Sequence, residues 1–373
     1  MLFHPFEIAF CGYSGSGKTT LIAGVVRHLS AKFTLAYYKH GCHRFDLDRE
    51  GKDSWVIRQA GVHTVMISDP ATKAVITSHE KSSASQLLER HVFADEDLLL
   101  VEGLKELPLP KLLLVDSERR ILDLVSTGAL TNIIGLVVPD ESDAYAEYGY
   151  PVLHRDCIGD IAACIETFLL TSSLKEHPLN GLVLAGGRSS RMGSDKALFA
   201  YHAENQLVHT AALLQQHCRE VFISCREEQA ETYRHFGIPL ITDSYLGIGP
   251  MGGLLSAQQA RPEAAWVVAA CDLPFLDESI IQQLSIQRNP LRFATAFRNP
   301  QSGRLEPLCA CYEPKSRSRL ILRHIERNNS LLSFLDESRI EELALQNGGA
   351  LKNINDPQGR HDASFSARTV SRH

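Results

Sequence analysis

A short apolar run that ends abruptly in two glycines is the feature that most constrains the fold of this chain. Residues 181–185 have the length of a buried strand, and Gly186-Gly187 follow directly. Because glycine has no Cβ, the backbone N–H groups of such a turn can close around phosphate oxygens. Arg191 and Lys196 supply positive charge for the same anion. The stretch predicts a strand followed by an anion-binding loop, although a Gly-Gly pair alone is also common in tight turns.

Strand-like and helix-like segments alternate along most of the chain. In the first half we predict strands at residues 6–11, 35–38, 64–68, 98–101 and 133–138, and helices at 18–29, 54–60, 85–91 and 158–170. In the second half we predict strands at 182–185, 221–225, 239–242, 266–271, 293–297 and 308–312, and helices at 205–217 and 279–284. This alternation indicates an α/β fold in which helices cover both faces of parallel sheets.

The polar segment 171–178 ends in Pro178 and separates the two halves. The chain has 373 residues, which is enough for more than one hydrophobic core. We therefore predict two unlike domains, at residues 1–172 and 179–373, since no internal repeat is visible.

Charge and cysteine usage limit the classes of partner. The formal net charge is −6, so no overall basic field favours nucleic acid. The sequence contains no run of ~18 apolar residues, so we predict no membrane span. The first ten residues do not resemble a signal peptide. The nine cysteines are scattered, as in proteins whose thiols stay reduced, so we expect a cytoplasmic location. His40, Cys42 and His43 match no zinc spacing.

Residues 12–19 satisfy the pattern G-x-x-x-x-G-K-[ST] directly after a predicted strand and at the start of a predicted helix. The loop containing Gly12, Gly15 and Gly17 is expected to surround the α- and β-phosphates of a nucleotide, Lys18 to reach the β- and γ-phosphates, and Thr19 to bind Mg²⁺. Glu102, at the end of another strand, is a second candidate for the magnesium or its water. The alternative for Glu102 is a helix-capping or solvated carboxylate.

This half resembles the MobB family of GTP-binding adaptors in molybdenum cofactor biosynthesis. The resemblance rests on the loop at 12–19, on Phe45-Asp46-x-Asp48-x-x-Gly51-Lys52-Asp53-Ser54, and on Val101-Glu102-Gly103-x-Lys105. It covers roughly residues 5–170 and implies GTP binding with little hydrolysis. No guanine-reading motif is recognisable; Val138-Pro139-Asp140 is a weak candidate.

In the second half, polar residues follow further predicted strands. Asp243 follows the strand at 239–242, and a glycine-proline segment at 247–253 comes soon after it and could lie against a base or ribose. Asp272 ends the strand at 266–271, where a carboxylate is a good Mg²⁺ ligand, although it could instead cap the next helix. No covalent nucleophile paired with a base is recognisable. Positioning, magnesium and cationic groups suffice for in-line attack on an α-phosphate, with pyrophosphate leaving.

These motifs resemble the MobA family of molybdenum cofactor guanylyltransferases, which have a Rossmann-like nucleotidyltransferase fold. The resemblance covers residues 179 to about 360 and rests on the segment 184–196, Asp243, the segment 249–253, Cys271-Asp272-Leu-Pro274 and Asn353-Ile-Asn355-Asp-Pro357. It implies that GTP contacts Leu184, Ala185, Gly186, Gly187 and Lys196, that Asp243 contacts the guanosine, and that Asp272 contacts GTP and Mg²⁺. It also implies catalytic roles for Arg191, Lys196 and Asp272, and places Asn353 and Asn355 near the pterin.

One position departs from the family pattern. Many members have an asparagine after the strand at 221–225, where this chain has Arg226. Together the two resemblances indicate a fusion that transfers GMP from GTP to molybdopterin, with molybdopterin-loading proteins and molybdoenzyme apoproteins as expected partners. Two alternatives stay open: a nucleotidyltransferase that uses CTP or a sugar-phosphate acceptor, and a nucleotide-dependent cofactor carrier with weak catalysis.

Overall fold

The computed structural model describes residues 2–39, 49–77, 85–140, 143–185, 205–345, 349 and 351. The Cα positions separate the chain into two compact units, Met1–Leu169 and Leu170–His373. Within the described ranges, no helix is both long and apolar enough to cross a bilayer.

The N-terminal unit contains a six-stranded sheet in which every pair of neighbouring strands is parallel. The described strands of the whole unit, including two outside this sheet, are β1 (Glu7–Cys11), β2 (Leu35–Lys39), β3 (Thr64–Ser68), β4 (Lys73–Thr77), β5 (Leu98–Glu102), β6 (Lys111–Leu114), β7 (Ile133–Val138) and β8 (Val152–His154). The helices are α1 (Lys18–Leu29), α2 (Asp53–Gln59), α3 (Ser85–Val92), α4 (Arg120–Ser126), a 3₁₀ helix (Asp143–Tyr148) and α5 (Ile158–Glu176). The sheet order is β2-β5-β1-β6-β7-β8, and β3 and β4 form a separate antiparallel pair.

The order of the strands positions the first glycine loop. β5 and β2 lie on one side of β1 in the sheet. After β5 the chain crosses to the other side of β1, where β6 lies. In open α/β sheets a ligand binds outside the carboxyl ends of the strands at such a reversal. The loop between β1 and α1 lies at that place. Helix α1 follows at once because Leu21, Ile22, Val25 and Leu29 recur at helical spacing and are buried.

The C-terminal unit contains a seven-stranded mixed sheet of order β11-β10-β9-β12-β14-β13-β15. The strands are β9 (Leu179–Leu184), β10 (Val221–Cys225), β11 (Leu240–Thr242), β12 (Ala265–Ala270), β13 (Ala294–Arg298), β14 (Leu305–Tyr312) and β15 (Ile340–Ala344). The helices are α6 (Gln206–Gln215), α7 (Glu227–Arg234), α8 (Pro250–Ala260), α9 (Glu278–Gln287), α10 (Ser316–Ile325) and α11 (Leu331–Glu337). Neighbouring strands from β11 to β12 are parallel, and β14 is antiparallel to β12 and β13.

Helices cover both faces of this sheet. Along β9, Val183 belongs to one buried cluster, together with residues of α6, α7 and α9. Its neighbours Leu182 and Leu184 belong to a second cluster, with residues of α8, α10 and α11. Consecutive side chains of a strand point to opposite faces, so an apolar run without alternation requires cover on both sides. The predicted α/β class is confirmed for both units, with a parallel sheet in the N-terminal unit and a mixed sheet in the C-terminal unit.

Two segments differ from their predicted form. Helix α5 continues to Glu176, so most of the segment predicted to be a polar linker is helical; Thr171-Ser-Ser-Leu-Lys-Glu contains no helix breaker before Pro178. The proline of the predicted loop 247–253 begins helix α8 as its first residue. Proline is favoured there because its missing N–H would have no helical partner.

We expect one buried ion pair to contribute strongly to the stability of the C-terminal unit. Glu313 accepts hydrogen bonds from Arg288 Nε at 3.0 Å and Nη2 at 2.8 Å, and both side chains are at most 3% exposed. Glu313→Gln leaves the guanidinium without its counter-charge and should cost about 3–5 kcal/mol. Urea unfolding measured by Trp266 fluorescence in a Trp55→Phe background checks this.

The matched control is Glu342→Gln, which breaks the exposed pair between Arg298 and Glu342. That change should cost at most about 1 kcal/mol, because water screens exposed pairs. If Glu313→Gln and Glu342→Gln lowered the free energy of unfolding equally, the buried pair would contribute no more to stability than the exposed one.

Candidate functional site

The first glycine loop has the backbone conformation that its glycines allow. Gly15 and Gly17 have φ of +80° and +86°, a region that other residues rarely adopt. A Cβ on Gly12 would lie 2.7 Å from Ser16 Oγ and 3.0 Å from the Leu114 carbonyl oxygen. Lys18 Nζ donates hydrogen bonds to the carbonyl oxygens of Gly12 at 2.9 Å and Tyr13 at 2.8 Å. The lysine is thus held along the loop.

Thr19 and Glu102 are brought together by the parallel pairing of β1 with β5. Thr19 Oγ1 donates to Glu102 Oε2 at 3.1 Å, and Glu102 is 6% exposed. Burial opposes the ionisation of Glu102, but hydrogen bonds from Tyr37, Lys39 and Thr19 outweigh it and lower the pKa of Glu102. The pair offers a hydroxyl and an ionised carboxylate, which are oxygen ligands that suit Mg²⁺.

Sequence reasoning missed two of the partners of Glu102. Tyr37 Oη donates to Glu102 Oε2 at 2.6 Å, and Lys39 Nζ lies 3.2 Å from Glu102 Oε1. Both residues belong to β2, which pairs with β5 in parallel register. The hydroxyl of Tyr37 and the ammonium of Lys39 could have indicated partners for a carboxylate. The sequence does not reveal, however, that their strand lies beside β5.

In the C-terminal unit the strand order assembles the predicted residues along one edge. β9, β10, β11 and β12 are parallel, so their carboxyl ends meet at the same side of the sheet. Leu184 and Ala185 lie at the carboxyl end of β9, and Arg226 follows β10. Asp243 follows β11, and Asp272 lies just after β12. The chain passes from β9 to β10 and β11 and then returns to β12 on the other side of β9. A reversal of this kind is where open α/β sheets bind ligands.

Asp243 and Asp272 lie at separate positions along the carboxyl ends of these strands. Their strands, β11 and β12, are three strand spacings apart, or roughly 14 Å at the usual separation of hydrogen-bonded strands. Leu184 lies between them and pairs with Ala270 on β12. The edge therefore offers separate positions to the two ends of an extended ligand.

Asp243 is partly buried behind a hydrogen bond from the neighbouring strand. Ser224 Oγ donates to Asp243 Oδ1 at 2.7 Å. Burial raises the pKa of Asp243, although the Ser224 hydrogen bond and the charge of Arg226 oppose the shift. A Cβ on Gly253 would lie 2.3 Å from Ser224 Oγ and 2.9 Å from Leu184 Cδ2. Gly253 is therefore required for close packing of α8 on the sheet.

Arg226 is the N-cap residue immediately before helix α7. Its backbone N–H donates to Gln229 Oε1 at 3.2 Å, and its Nη1 lies 2.9 Å from Glu228 Oε1. These contacts direct part of its side chain along the first turn of α7. The positive charge of Arg226 nevertheless acts on Asp243 and opposes part of the rise in its pKa that burial causes.

Several predicted residues lie outside the described residues. They are Gly186, Gly187, Arg191 and Lys196 of the second glycine loop, Asn353 and Asn355, and the motif residues 40–48. Among the residues that are described, no group of three or more His, Cys, Asp or Glu is arranged to hold a metal ion. Magnesium in nucleotide sites commonly takes one or two protein ligands and completes its shell with phosphates and water.

Comparisons with known proteins agree with this division of the chain. Residues 7–138 match the family model "Molybdopterin guanine dinucleotide synthesis protein B", and residues 181–342 match "MobA-like NTP transferase domain". A "Molybdopterin-guanine dinucleotide biosynthesis adapter protein" from Haemophilus influenzae is 38% identical over 43% of this chain and 88% of its own length. A "Probable molybdenum cofactor guanylyltransferase" from Thermococcus kodakarensis is 34% identical over 42% of this chain and 78% of its own length.

A third relative carries a name that covers two activities. The "Molybdenum cofactor biosynthesis bifunctional protein" of Synechocystis is 36% identical over 38% of this chain, and the match spans 41% of that protein's length. The chain thus covers less than half of this relative. From the two well-covered relatives and the two family models, the chain belongs to the MobB family in its N-terminal part and to the MobA-like NTP transferase family in its C-terminal part.

Proposed function

We propose that this chain transfers GMP from GTP to molybdopterin, releases pyrophosphate and forms the guanine dinucleotide form of the cofactor. It is a nucleotidyltransferase. The observation that carries the proposal is that the carboxyl ends of the parallel strands β9, β10, β11 and β12 meet at one side of the sheet. Leu184 ends β9 there, and Asp243 and Asp272 come after β11 and β12. Relatives of the C-terminal unit are named guanylyltransferases, which favours GTP over CTP.

Each predicted residue of the transfer site receives one role. The backbone of residues 184–187 surrounds the triphosphate, and Arg191 and Lys196 supply positive charge to it. Asp243 accepts hydrogen bonds from the guanosine, which its position at the far strand supports. Asn353 and Asn355 contact the pterin.

Asp272 is the residue that would hold Mg²⁺ in the C-terminal unit. Its carboxylate follows β12 beside the strand that leads into the glycine loop, and a carboxylate is a suitable donor. When bound, the metal ion neutralises the charge that develops on the phosphates. The chain's own residues align the acceptor phosphate, whose oxygen attacks the α-phosphorus as the bond to the pyrophosphate oxygen breaks.

The N-terminal unit binds GTP as an adaptor. Gly12, Gly15, Gly17 and Lys18 surround the phosphates, and Thr19 and Glu102 would hold Mg²⁺; the contact between Thr19 and Glu102 at 3.1 Å supports this. Molybdopterin-loading proteins and molybdoenzyme apoproteins are the proposed partners. We place the domains at residues 1–172 and 179–373. We place the protein in the cytoplasm, where buried thiols such as Cys309 stay reduced.

The test is incubation of the purified protein with Mg²⁺, molybdate-loaded molybdopterin and each of GTP, CTP and ATP. GTP should give the guanine dinucleotide, identified by mass, with an equal amount of pyrophosphate. Pyrophosphate release with CTP but not with GTP would overturn the proposal. A chain that binds nucleotide without any product would instead support the carrier alternative.

The raised pKa of Asp243 predicts a pH dependence of GTP use. Only the ionised carboxylate accepts hydrogen bonds at both oxygens, and burial keeps Asp243 protonated to a higher pH than an ordinary aspartate. The KM for GTP should therefore rise as the pH falls through this raised pKa. In Asp243→Asn the KM should be raised at every pH and should lose this dependence, as measured by pyrophosphate release. An unchanged pH profile in the variant would contradict the role of Asp243.

A further inference from the structure

A cavity of about 390 Å³ lies beside the first glycine loop, wholly within the N-terminal unit. One wall is the end of the loop, with Ser16, and one side of α1 as far as Arg27 in its last turn. The opposite wall is the segment between β8 and α5, including Arg155 and Asp156. Residues at the carboxyl ends of β6 and β7 complete the lining. The cavity thus adjoins the region where a nucleotide's phosphates would bind.

Ser16 provides an observation that is independent of the shape of the cavity. It is 4% exposed, and its Oγ has no hydrogen-bond partner among the described residues. A buried hydroxyl without a partner is unfavourable, because it has lost its hydrogen bonds to water. A polar ligand in the cavity that Ser16 lines would supply the missing partner.

The opposite wall carries charges of both signs. Arg155 Nη2 donates to the carbonyl oxygen of Val115 at 2.9 Å, which fixes the guanidinium at this wall. The Asp156 side chain is 82% exposed, and its Oδ2 lies 3.9 Å from His154 Nδ1. A site for phosphate alone would not include a carboxylate, because the two anions repel. The wall instead suits a ligand with both donors and acceptors.

We propose that this cavity receives the purine base of the nucleotide held by residues 12–19, and that Asp156 and Arg155 select guanine. The inference rests on the proposed binding of GTP by the N-terminal unit. Guanine carries adjacent N1–H and N2–H donors, which match the two acceptor oxygens of a carboxylate. Its O6 and N7 are acceptors that match a guanidinium.

Adenine fits this wall poorly. It presents an acceptor at N1 and a donor at N6, so a carboxylate at the N1 edge faces a lone pair. Asp140, the weak candidate from the sequence, does not line the cavity and lies 3.9 Å from Arg119 Nη2. Base selection is therefore assigned to the segment after β8 rather than to the segment after β7.

The test is equilibrium binding of fluorescent methylanthraniloyl GDP to the full chain, with ADP and xanthosine diphosphate as competitors. The part of the signal that Lys18→Ala removes reports the N-terminal site. Asp156→Asn should weaken GDP binding at this site about 10-fold. It should also shift the preference towards xanthosine diphosphate, because the asparagine amide donates to the C2 carbonyl of xanthine. Asp160→Asn, an exposed residue of α5 outside the cavity lining, is the matched control and should change neither value.

Ser16→Ala tests the cavity separately. It should lower the affinities for GDP, ADP and xanthosine diphosphate several-fold and by the same factor, without lowering the melting temperature. An unchanged ratio of GDP to xanthosine diphosphate affinity in Asp156→Asn would overturn the base site and leave nucleotide binding by the loop intact. If Lys18→Ala removed no part of the signal, the proposed function of the N-terminal unit would fail, and this inference with it.

Discussion

Replacing Asp272 with asparagine should lower the rate of GMP transfer on the order of 1,000-fold. The substitution removes the charge that would bind Mg²⁺ at the carboxyl end of β12, and metal stabilisation of the transferring phosphoryl group contributes several kcal/mol. The change is nearly isosteric, so the fold should be kept. Pyrophosphate release under saturating GTP and molybdopterin measures the effect.

Asp277→Asn is the matched control for this experiment. Asp277 Oδ1 accepts a hydrogen bond from the backbone N–H of Ile280 at the start of α9, and asparagine caps a helix about as well as aspartate. The control should keep its activity within about twofold, given that equivalence. If Asp272→Asn retained more than a tenth of the rate, Asp272 would not be the metal ligand. A tenfold loss of rate corresponds to only about 1 kcal/mol of activation free energy.

Replacing Lys18 with alanine should weaken nucleotide binding by the N-terminal unit about 10- to 100-fold, which corresponds to loss of a hydrogen bond to a charged group. GMP transfer in vitro should be nearly unchanged, because the proposed transfer site is built from the strands of the C-terminal unit. Titration with methylanthraniloyl GDP and the pyrophosphate assay separate the two effects.

Lys32→Ala is the control for the loss of a lysine. Lys32 is 64% exposed and pairs with Glu166 at the surface of the N-terminal unit, so neither binding nor transfer should change. Equal loss of transfer in Lys18→Ala and Asp272→Asn would mean that the two units do not act as separate adaptor and transferase.

Periodicity predicted some elements to the residue. Helix α1 and strand β7 begin and end at the predicted residues, since each is a strong apolar pattern with Gly17 before α1 and Pro139 after β7. Strands β4, β6, β8 and β15 and helices α4, α7, α8, α10 and α11 were not predicted. β6 is only four residues long, and in β15 the sequence Ile-Glu-Glu-Leu-Ala alternates weakly. Such short segments become strands because a neighbouring strand supplies the hydrogen bonds, which no local pattern records.

The candidate sites were predictable where chemistry is local to a motif. Residues 12–19 form a loop on their own, because glycines at positive φ and a following helix determine its path. The surroundings of Glu102 were not predictable. Tyr37 and Thr19 are far from Glu102 in sequence, and they reach it only because β2 and β1 lie on either side of β5.

The sequence by itself determined the α/β class, the first glycine loop and the carboxylates that follow strands, because each depends on residues close together in the chain. The tertiary structure alone decided which of these residues share an edge. The return of the chain from β11 to β12 places Asp272 beside β9, and the helical start at Pro250 makes Gly253 a packing residue. Both depend on strand order and on the approach of a helix to a sheet, which are set by packing over the whole unit.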